Sequence, residues 1–596
     1  MLFERARASV VGVVSSIALV ALLSLDARHA ASLKQAVQLH TPAQVHSDGY
    51  VSSAECRSCH PSEYASWQHS YHHSMTQLAT PASVIGAFDG VTVKADGLEY
   101  RLEQRDGHYF ATAASPGASP QPITMLTGSH YMQIYWFETG EGRRLGQLPF
   151  VYLNADRRWV PRNAIFIEPP HALQAGATGR WNASCIACHT TFGQPRIDKS
   201  GTFDTRVAEL GIACEACHGP GESHVQHNRS PLERYRHHLG DRHARDIVQP
   251  HQLSHERSSL VCGQCHGTWL HDGPRGMRRW NEHGFAYRPG GDPAETMLLM
   301  RPSVASSDDR VASVLAHEPE LALGQFWSDG EVRVSGREFN GMVDSPCYAR
   351  GELTCLSCHR MHEAASDPRA PAAWADTQLE QRMDGDAACL QCHQGLASNH
   401  THHAPSSDGS RCYNCHMPFT SYGLLKSMRS HRISVPDVGA SVDTGRPNAC
   451  NLCHLDKSLG WTAHWLQQFY GRKQPPLDDE QRDVASALWL GLTGDAGQRA
   501  LIAWALGWQP AQRASKLQSA SALLGTLMDD PYDAVRYIAA RSLEQRSGHA
   551  PQFDWLQRPD QRAPIALEGP QLSAPEQHTI ERLHLLRNDR PLHLLE

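Results

Sequence analysis

A pattern of two cysteines and one histidine, Cys-x-x-Cys-His, occurs eight times and takes up sixteen of the seventeen cysteines of this chain. At this composition one occurrence is expected by chance about 0.03 times. Two thiols at this spacing can form thioether bonds to the edge of one porphyrin, and the histidine can ligate its iron. We therefore predict eight covalently bound haem c groups at motifs numbered 1 to 8 in chain order: Cys56/Cys59/His60, Cys185/Cys188/His189, Cys214/Cys217/His218, Cys262/Cys265/His266, Cys355/Cys358/His359, Cys389/Cys392/His393, Cys412/Cys415/His416 and Cys450/Cys453/His454.

Disulfides and zinc sites are the other common uses of closely spaced cysteines. A disulfide framework has no obligatory histidine one position after the second cysteine. A zinc site needs further cysteines or histidines paired elsewhere at ligand spacing. Both alternatives are therefore weaker than haem attachment.

The second axial position of each iron separates an electron carrier from an enzyme. Thirty histidines lie between His46 and His454, and the eight of the motifs leave 22 for these positions. Since the supply is ample, we predict that most irons have two histidine ligands. For each single candidate, a surface or hydrogen-bonding histidine is the alternative. The second-ligand candidates are His73, His130, His224, His362, His403 and His431; His72 and His402, the neighbours of His73 and His403, are further candidates.

Cys347 is the cysteine outside the motifs. A free cysteine is most often a small buried hydrophobe. The alternative is a thiol facing a haem, as an iron ligand or as a binding group for a sulfur substrate. Cys347 is therefore a speculative catalytic residue, and no other catalytic residue can be assigned.

The haem groups must be positioned by a chain of 596 residues, of which only 40% are hydrophobic and 7% aromatic. Eight macrocycles supply core volume that apolar side chains would otherwise fill. Residues 51–455 are predicted to form one octahaem cytochrome domain, mainly α, with little regular secondary structure around packed haems. Asp96-Gly97 and Asp106-Gly107 are hairpin-turn dipeptides, and they predict a small β-meander insert at about residues 85–160.

The sequence after His454 has a different character, because apolar residues recur there at helical spacing. Residues 533–543 resemble the second helix of a HEAT repeat, and residues 495–501 look like a degenerate copy. We predict a helical, HEAT-like domain over residues 456–596. A plain helical bundle is the alternative.

The N-terminus predicts export. Arg5 and Arg7 precede an apolar run over residues 9–25, whose length lies between that of a signal peptide and that of a short membrane span. We predict a cleaved signal peptide in residues 1–31 and a linker in residues 32–50, with an uncleaved N-terminal membrane anchor as the alternative. Either arrangement gives a periplasmic haem domain.

The net charge of −7, without long runs of either sign, argues against a nucleic-acid partner. Redox partner proteins, a quinol-linked membrane complex or a small substrate fit this balance better.

Three segments carry a resemblance to a known group of proteins: CEACHGPG at 214–221, CYNCHMP at 412–418 and PNACNLCH at 447–454. With the eight motifs, they resemble bacterial multihaem cytochromes related to hydroxylamine oxidoreductase and its tetrahaem electron acceptor, over about residues 51–460. The resemblance implies a periplasmic redox function, a wire of packed haems, and second ligands at His224 and His362. The pentahaem nitrite reductases have a lysine in place of one motif histidine, but none of the eight motifs of this chain has that change. No feature of the sequence identifies a tyrosine that is cross-linked to a catalytic haem.

Two functions follow from these observations. The favoured one is a periplasmic octahaem cytochrome that carries electrons between redox partners. The alternative is a multihaem oxidoreductase that acts on a small nitrogen or sulfur compound at one haem with an open iron position.

Overall fold

The computed structural model describes residues 39–169, 178–239, 246–304, 309–317, 319–396, 399–562 and 572–594. The predicted signal peptide or anchor of residues 1–31 and the first part of the predicted linker lie outside these ranges. Within them, no helix has both the length and the apolar character that crossing a bilayer requires.

An eight-stranded sheet lies between motifs 1 and 2. Its strands β3 to β9 are antiparallel neighbours in chain order, and β2 pairs with β6, whereas β1 lies outside the sheet. The Asp-Gly turns predicted at 96–97 and 106–107 are present with positive φ at both residues, as a type I′ hairpin requires. The strands up to this point are β1 Ala43–Gln44, β2 Thr76–Leu78, β3 Asp89–Ala95, β4 Leu98–Arg105, β5 His108–Ala113, β6 Gln121–Thr127, β7 Met132–Glu138, β8 Leu145–Leu153 and β9 Arg158–Pro161.

Both faces of this sheet are buried, because successive side chains on a strand point to opposite sides. Leu126 and Phe150 pack with the aromatic residues of one face. On the other face Met125 packs against the segment of motif 2, and Val151 packs against the C-terminal helices. The sheet is therefore a wall that supports both the haem region and the C-terminal region.

The expected fold class, mainly α with a small β-meander, needs correction to a mixed α/β fold. The insert is one eight-stranded sheet rather than a small meander. Alternating apolar residues indicate one buried face, but the partner that covers the second face lies far away in sequence. The extent of the sheet was underestimated for this reason.

The haem region contains short helices and four two-stranded sheets. Its remaining strands are β10 Thr190–Thr191, β11 Arg206–Val207, β12 Glu209–Leu210, β13 Trp269–His271, β14 Met297–Leu299, β15 Ser421–Gly423 and β16 Lys426–Met428. The helices are α1 Ser53–Arg57, α2 Pro61–His69, α3 Ile186–His189, α4 Cys214–His218, α5 Glu222–Asn228, α6 Pro231–Leu239, α7 His255–Gly263, α8 Gly273–His283, α9 Asp309–His317, α10 Pro319–Leu323, α11 Glu338–Val343, α12 Pro346–Ala349, α13 Pro371–Ala375, α14 Ala387–Leu390, α15 Cys412–His416, α16 Val438–Thr444 and α17 Ala449–Cys453.

The C-terminal region is helical, as expected. Its helices are α18 Leu459–Tyr470, α19 Asp479–Asp483, α20 Ser486–Thr493, α21 Ala496–Gly507, α22 Gln509–Ala514, α23 Ala520–Met528, α24 Asp533–Ser547 and α25 Ala574–His584. Helices α20 and α21 pack against each other across a short loop, as do α23 and α24, and α21 packs along α24. Paired helices of this kind are compatible with the HEAT-like prediction and with a plain bundle.

The C-terminal helices share one hydrophobic core with the rest of the molecule. That core includes Val151 of the sheet, Val334 of the haem region and Leu452 of motif 8. Arg333 forms an ion pair with Asp495, which caps the N-terminus of α21. The haem region is therefore joined to the first helical pair by buried apolar contacts and by a partly buried charge pair.

Candidate haem sites

The motifs fold into single turns that point their three functional side chains in one direction. In motifs 1, 5, 6 and 8 the backbone N–H of the histidine donates to the carbonyl of the first cysteine at 2.9 Å, and in motif 4 at 3.0 Å. Motifs 3 and 7 form α4 and α15. Because residues three and four positions apart share one side of a helical turn, both thiols and the imidazole can meet one porphyrin.

Five motif histidines face a second histidine ring at nearly constant distance. The ring-centre distances are 6.3 Å for His60–His224, 6.3 Å for His218–His362, 6.4 Å for His266–His72, 6.3 Å for His416–His400 and 6.0 Å for His454–His403. Two imidazoles on opposite sides of one metal ion, with metal–nitrogen bonds of about 2 Å, have ring centres about 6.2 Å apart. The side chains therefore fit five bis-histidine haem sites.

The relative orientation of the rings divides these pairs into two kinds. Four pairs are close to parallel, with interplanar angles between 10° for His400–His416 and 26° for His403–His454. The rings of His72 and His266 are inclined by 70°. Motif 4 is thus geometrically distinct from motifs 1, 3, 7 and 8.

Hydrogen bonds at Nδ1 hold several of these imidazoles so that Nε2 faces the opposite ring. Nδ1 of His218 donates to the carbonyl of Val248 at 2.8 Å, and Nδ1 of His416 to the carbonyl of Ser434 at 2.7 Å. Such outer contacts fix ring orientation and tautomer at metal-ligating histidines. They support iron ligation through Nε2.

Two imidazoles contact a carboxylate instead of a carbonyl. Nδ1 of His266 lies 3.0 Å from Glu338, and Nδ1 of His224 lies 3.4 Å from Asp246. Burial lowers the pKa of His266, but Glu338 outweighs burial, and the pKa rises to about 9. The Glu338 carboxylate accepts the hydrogen bond of Nδ1, so a neutral His266 ring keeps its proton at Nδ1 and presents Nε2 to iron.

The remaining ligand candidates lie in apolar surroundings that favour the neutral imidazole. Burial lowers the pKa of His72 and His189 to about 4. Burial also lowers the pKa of His359 to about 4, and the nearby His431 lowers it further. Since iron binds the neutral form, these rings are in the ligating state at neutral pH.

Of the first six second-ligand candidates, three stand directly opposite a motif histidine: His224, His362 and His403. The ring of His403 fits because residue 409 is glycine, since a Cβ there would lie 2.2 Å from the ring. His431 lies near His359 of motif 5.

His73 and His130 lie away from the motif histidines. The ring of His73 packs edge-on against Trp67 at 4.4 Å. His130 is stacked between Tyr71 and Tyr131, and its Nε2 is 2.6 Å from Asp376. Stacking and the carboxylate contact already occupy the ring of His130.

His72 and His400 also stand opposite motif histidines. His72 was a candidate beside its neighbour His73, whereas His400 was not predicted. Neighbouring residues in a turn point in different directions, so either His72 or His73 could have faced motif 4. A contact with a segment distant in sequence holds the backbone of His72: the N–H of Ile212 donates to the carbonyl of His72 at 2.9 Å. His400 lies three positions before His403. This spacing was a signal in the sequence that could have identified His400 as well as His403.

Motifs 2, 5 and 6 differ from the other five. In the described parts of the chain, no ring contact joins His189, His359 or His393 to a second histidine. His431 influences the pKa of His359, whereas no histidine of the described ranges influences the pKa of His189. Nδ1 of His189 is buried and has no hydrogen-bond partner among the described residues.

Cys347 lies in α12, close to Cys392 of motif 6. Burial raises the pKa of its thiol, which disfavours the nucleophilic thiolate. All seventeen cysteines lie in the described residues, and none forms a disulfide.

Contacts between motif cysteines join the eight motifs in a continuous series. Four pairs of thiols lie close enough to shift each other's pKa: Cys56–Cys214, Cys188–Cys265, Cys262–Cys355 and Cys389–Cys412. Three further pairs are close enough to interact electrostatically: Cys217–Cys262, Cys358–Cys392 and Cys415–Cys450. The motifs therefore follow the order 1, 3, 4, 5, 6, 7, 8, and motif 2 branches from motif 4.

Cys59 of motif 1 and Cys392 of motif 6 are the exposed motif cysteines. The Ser58 hydroxyl donates to the Cys59 sulfur at 3.7 Å. Haem attachment at the sixteen motif cysteines rests on the motif spacing and stays a prediction.

Two family models of haem proteins match parts of the chain. Residues 159–283, which contain motifs 2 to 4, match the model of cytochrome c552. Residues 55–92, which contain motif 1, match the model of cytochrome c554 and c-prime. No curated protein matches the chain.

Two solved structures are similar in part. The outer cell wall cytochrome OcwA has 16% identity and a TM-score of 0.44, with 83% of this chain and 99% of that chain covered. The undecahaem cytochrome from the S-layer of Carboxydothermus ferrireducens has 16% identity and a TM-score of 0.33, with 83% of this chain and 70% of that chain covered. Both TM-scores lie below 0.5, too low to indicate a role for this chain.

The repeated motifs and the two matching family models define the class of the protein. It is a multihaem c-type cytochrome with covalently bound haem c. Proteins of this class carry electrons on their irons.

Proposed function

We propose that the protein is a periplasmic octahaem cytochrome that carries electrons along a branched wire between redox partners. The observation that carries this proposal is the unbroken series of neighbouring motif cysteines, each close enough to the next motif to influence the pKa of a thiol there, from motif 1 to motif 8. Thioether bonds attach a haem at its edge, so contact between cysteines of two motifs brings two haem edges together. Haem c supplies one reversible electron per iron.

The side chains of this chain would hold the haems rigidly. The motif cysteines anchor each group, and the histidine pairs close both axial positions at motifs 1, 3, 4, 7 and 8. We assign His431 to motif 5, on the basis of its proximity to His359. Two strong ligands exclude substrate from an iron, and this suits transfer rather than catalysis.

The cross-chain ligands also stabilise the order of the motifs. His224 follows motif 3 and faces motif 1, whereas His362 follows motif 5 and faces motif 3. Each such pair would tie two motif segments through one iron. Loss of one second ligand should therefore change the distance between the two motif segments as well as the spin state of the iron.

The proposed wire can be tested by removing one haem site within the series, at motif 5, and comparing the result with removal of the haem site of the branch, at motif 2. We expect the double variant Cys355→Ala/Cys358→Ala, which removes the anchors of motif 5, to separate motifs 1 to 4 from motifs 6 to 8. A photoreductant attached at Ala65→Cys, on exposed α2 beside motif 1, in a Cys347→Ser background should then reduce only the haems of motifs 1 to 4 on the millisecond scale.

The matched control is Cys185→Ala/Cys188→Ala, which removes the anchors of the branch at motif 2. It should leave reduction of all remaining haems fast. Intact mass of each preparation gives its haem count, with eight expected for the parent. Equally fast and complete reduction in the motif 5 variant would contradict the proposed wire.

A second candidate function is favoured by the surroundings of His189. This buried motif histidine faces no second histidine in the described ranges. An open iron at motif 2 could act on a small nitrogen or sulfur compound, with the other haems storing electrons. Its position at a branch from motif 4 would allow this without interrupting the path.

An open iron at motif 2 predicts a high-spin ferric EPR signal close to one haem in stoichiometry. Nitrite, hydroxylamine or sulfite should shift this signal. The Cys185→Ala/Cys188→Ala variant should lose it, whereas Cys389→Ala/Cys392→Ala at motif 6 should keep it. Wholly low-spin spectra that no ligand changes would rule out the enzymatic alternative. A Cys347→Ser variant with an unchanged EPR spectrum and an unchanged response to these ligands would exclude Cys347 as a catalytic residue.

The partners proposed for the carrier are redox proteins or a quinol-linked membrane complex. The HEAT-like helices α20 to α24 offer a docking surface that is attached to the haem region through Arg333 and the shared core. The location in the periplasm rests on the exported character of the N-terminal sequence and on covalent haem attachment.

A further inference from the structure

The groups that contact the axial histidines differ between motifs 1 and 4, on one side of motif 5, and motifs 7 and 8, on the other side. At motif 4 the partner of His266 is the carboxylate of Glu338, at 3.0 Å. At motif 1 the opposing His224 has the carboxylate of Asp246, at 3.4 Å. A carboxylate on Nδ1 raises the donor strength of an imidazole, and this stabilises the ferric state of a bound iron.

The opposite end of the series has neutral partners. Nδ1 of His416 in motif 7 donates to the carbonyl of Ser434 at 2.7 Å. Nδ1 of His403, which faces motif 8, donates to the carbonyl of Thr401 at 2.6 Å. A carbonyl lacks the full negative charge of a carboxylate, so the ferric state gains less there.

A cation reinforces the difference at motifs 7 and 8. The guanidinium of Arg429 lies between the rings of Tyr413 and Phe419, at 4.2 and 4.0 Å from their centres. It donates to the carbonyls of Tyr413 and Met417 at 3.0 Å and to the Asn414 side-chain oxygen at 2.8 Å. Among the described residues, no carboxylate forms an ion pair with Arg429.

Two acids near motifs 6 to 8 are paired with arginines. Asp408 pairs with Arg513 at 2.7 Å, and Asp386 pairs with Arg411 at 3.3 Å. Arg429 influences Cys453 of motif 8 and holds the turn of motif 7 through its backbone contacts. Its positive charge therefore acts on both motifs, and a nearby cation favours the reduced, less positive iron.

We propose that the wire is polarised: Glu338 and Asp246 keep the reduction potentials at motifs 4 and 1 low, and Arg429 raises those at motifs 7 and 8. This inference rests on the proposed octahaem wire. Each transfer oxidises one iron(II) and reduces the next iron(III), and no atom moves. Electrons therefore leave motifs 1 and 4 and collect at motifs 7 and 8, which identifies that end as the delivery site.

The 70° angle between His72 and His266 makes the motif 4 potential separately measurable. Crossed imidazole planes give a low-spin ferric EPR signal with a large g value, whereas near-parallel planes give ordinary rhombic signals. In EPR spectra of samples poised at a series of potentials, the large-g signal of the parent protein should be among the last to disappear on reduction. Its disappearance before half of the rhombic intensity would overturn the proposal.

Substitution at Glu338 tests the cause. Glu338→Gln keeps the shape and an acceptor for Nδ1 but removes the charge, so the reduced fraction of the large-g haem should increase about tenfold relative to the oxidised fraction at a fixed potential. That ratio corresponds to about 59 mV for a one-electron couple. Glu338→Asp keeps the charge and should retain a low potential.

Substitution at Arg429 should act in the opposite direction on the other end. Arg429→Gln should lower the potential of part of the rhombic intensity and leave the large-g signal unchanged, and Arg429→Lys should restore the parent titration. Haem content and low-spin stoichiometry are measured on the same samples. Full haem loading with unshifted potentials in Glu338→Gln and Arg429→Gln refutes the polarisation alone, whereas missing haems refute the wire on which it rests.

Discussion

Replacing His72 by alanine is expected to convert one haem of the protein from low spin to high spin. The ring of His72 stands 6.4 Å from that of His266, centre to centre, and its removal leaves a gap on that side of motif 4. Alanine has no ligating atom, so the iron keeps one strong axial ligand, and its ligand field weakens. The large-g EPR signal should disappear, and a high-spin signal equal to one haem should replace it.

His73→Ala is the matched control for this substitution. His73 is the next residue, but its ring packs against Trp67 and not against a motif histidine. It should leave the number of low-spin haems unchanged. Added imidazole should restore the low-spin state of His72→Ala, because it can enter the gap from solution. Conversion of a haem by His73→Ala, with His72→Ala silent, would exchange the roles assigned to the two residues.

The difference between His72 and His73 also indicates how far the sequence could predict the site. The attachment cysteines and the first axial histidine lie within five consecutive residues, so local spacing is enough to predict them. A facing histidine comes from a distant segment, and its direction depends on contacts such as Ile212 to His72. The composition indicates that enough histidines are available, but it does not indicate which of two neighbours stands opposite His266.

His130 illustrates a second limit of sequence reasoning. It follows a glycine and a serine at the start of a strand, a position from which it could have reached a haem. In the fold it is stacked between two tyrosines and contacts Asp376. Tyr71 and Asp376 come from segments that precede and follow His130 in the sequence, and no local pattern predicts that they contact it.

The extent of the sheet was underestimated for the same physical reason. The hairpin turns are local and were predicted from Asp-Gly dipeptides. The burial of the second face depends on motif 2 and on the C-terminal helices, which contribute residues such as Trp181 and Ile502. A strand buried on both faces loses the simple alternation by which strands are recognised.

Removing one partner of the ion pair between Arg499 and Asp530 is expected to destabilise the C-terminal helices by about 3–5 kcal/mol. The two side chains are 0% and 1% exposed, and their closest atoms are 2.6 Å apart. Arg499 also donates to the carbonyls of Gly494 and Asn588, at 2.8 and 3.1 Å. Arg499→Leu would therefore leave a buried carboxylate and two carbonyls without their donor, and Asp530→Asn would leave an uncompensated guanidinium.

The cost arises because a charge buried without a partner loses its hydration and gains nothing in return. Arg541→Ala is the surface control: its pair with Glu544 is 53% and 34% exposed, so the loss should be about 0.5 kcal/mol or less. Denaturant unfolding followed by far-ultraviolet circular dichroism measures both losses of stability.

Because these helices share a core with Leu452 of motif 8, Arg499→Leu should also loosen that motif, visible as an earlier change in haem absorbance. The double variant Arg499→Leu/Asp530→Asn should recover part of the stability, since it removes both charges. Equal, small effects of Arg499→Leu and Arg541→Ala would show that the buried pair does not stabilise the C-terminal helices.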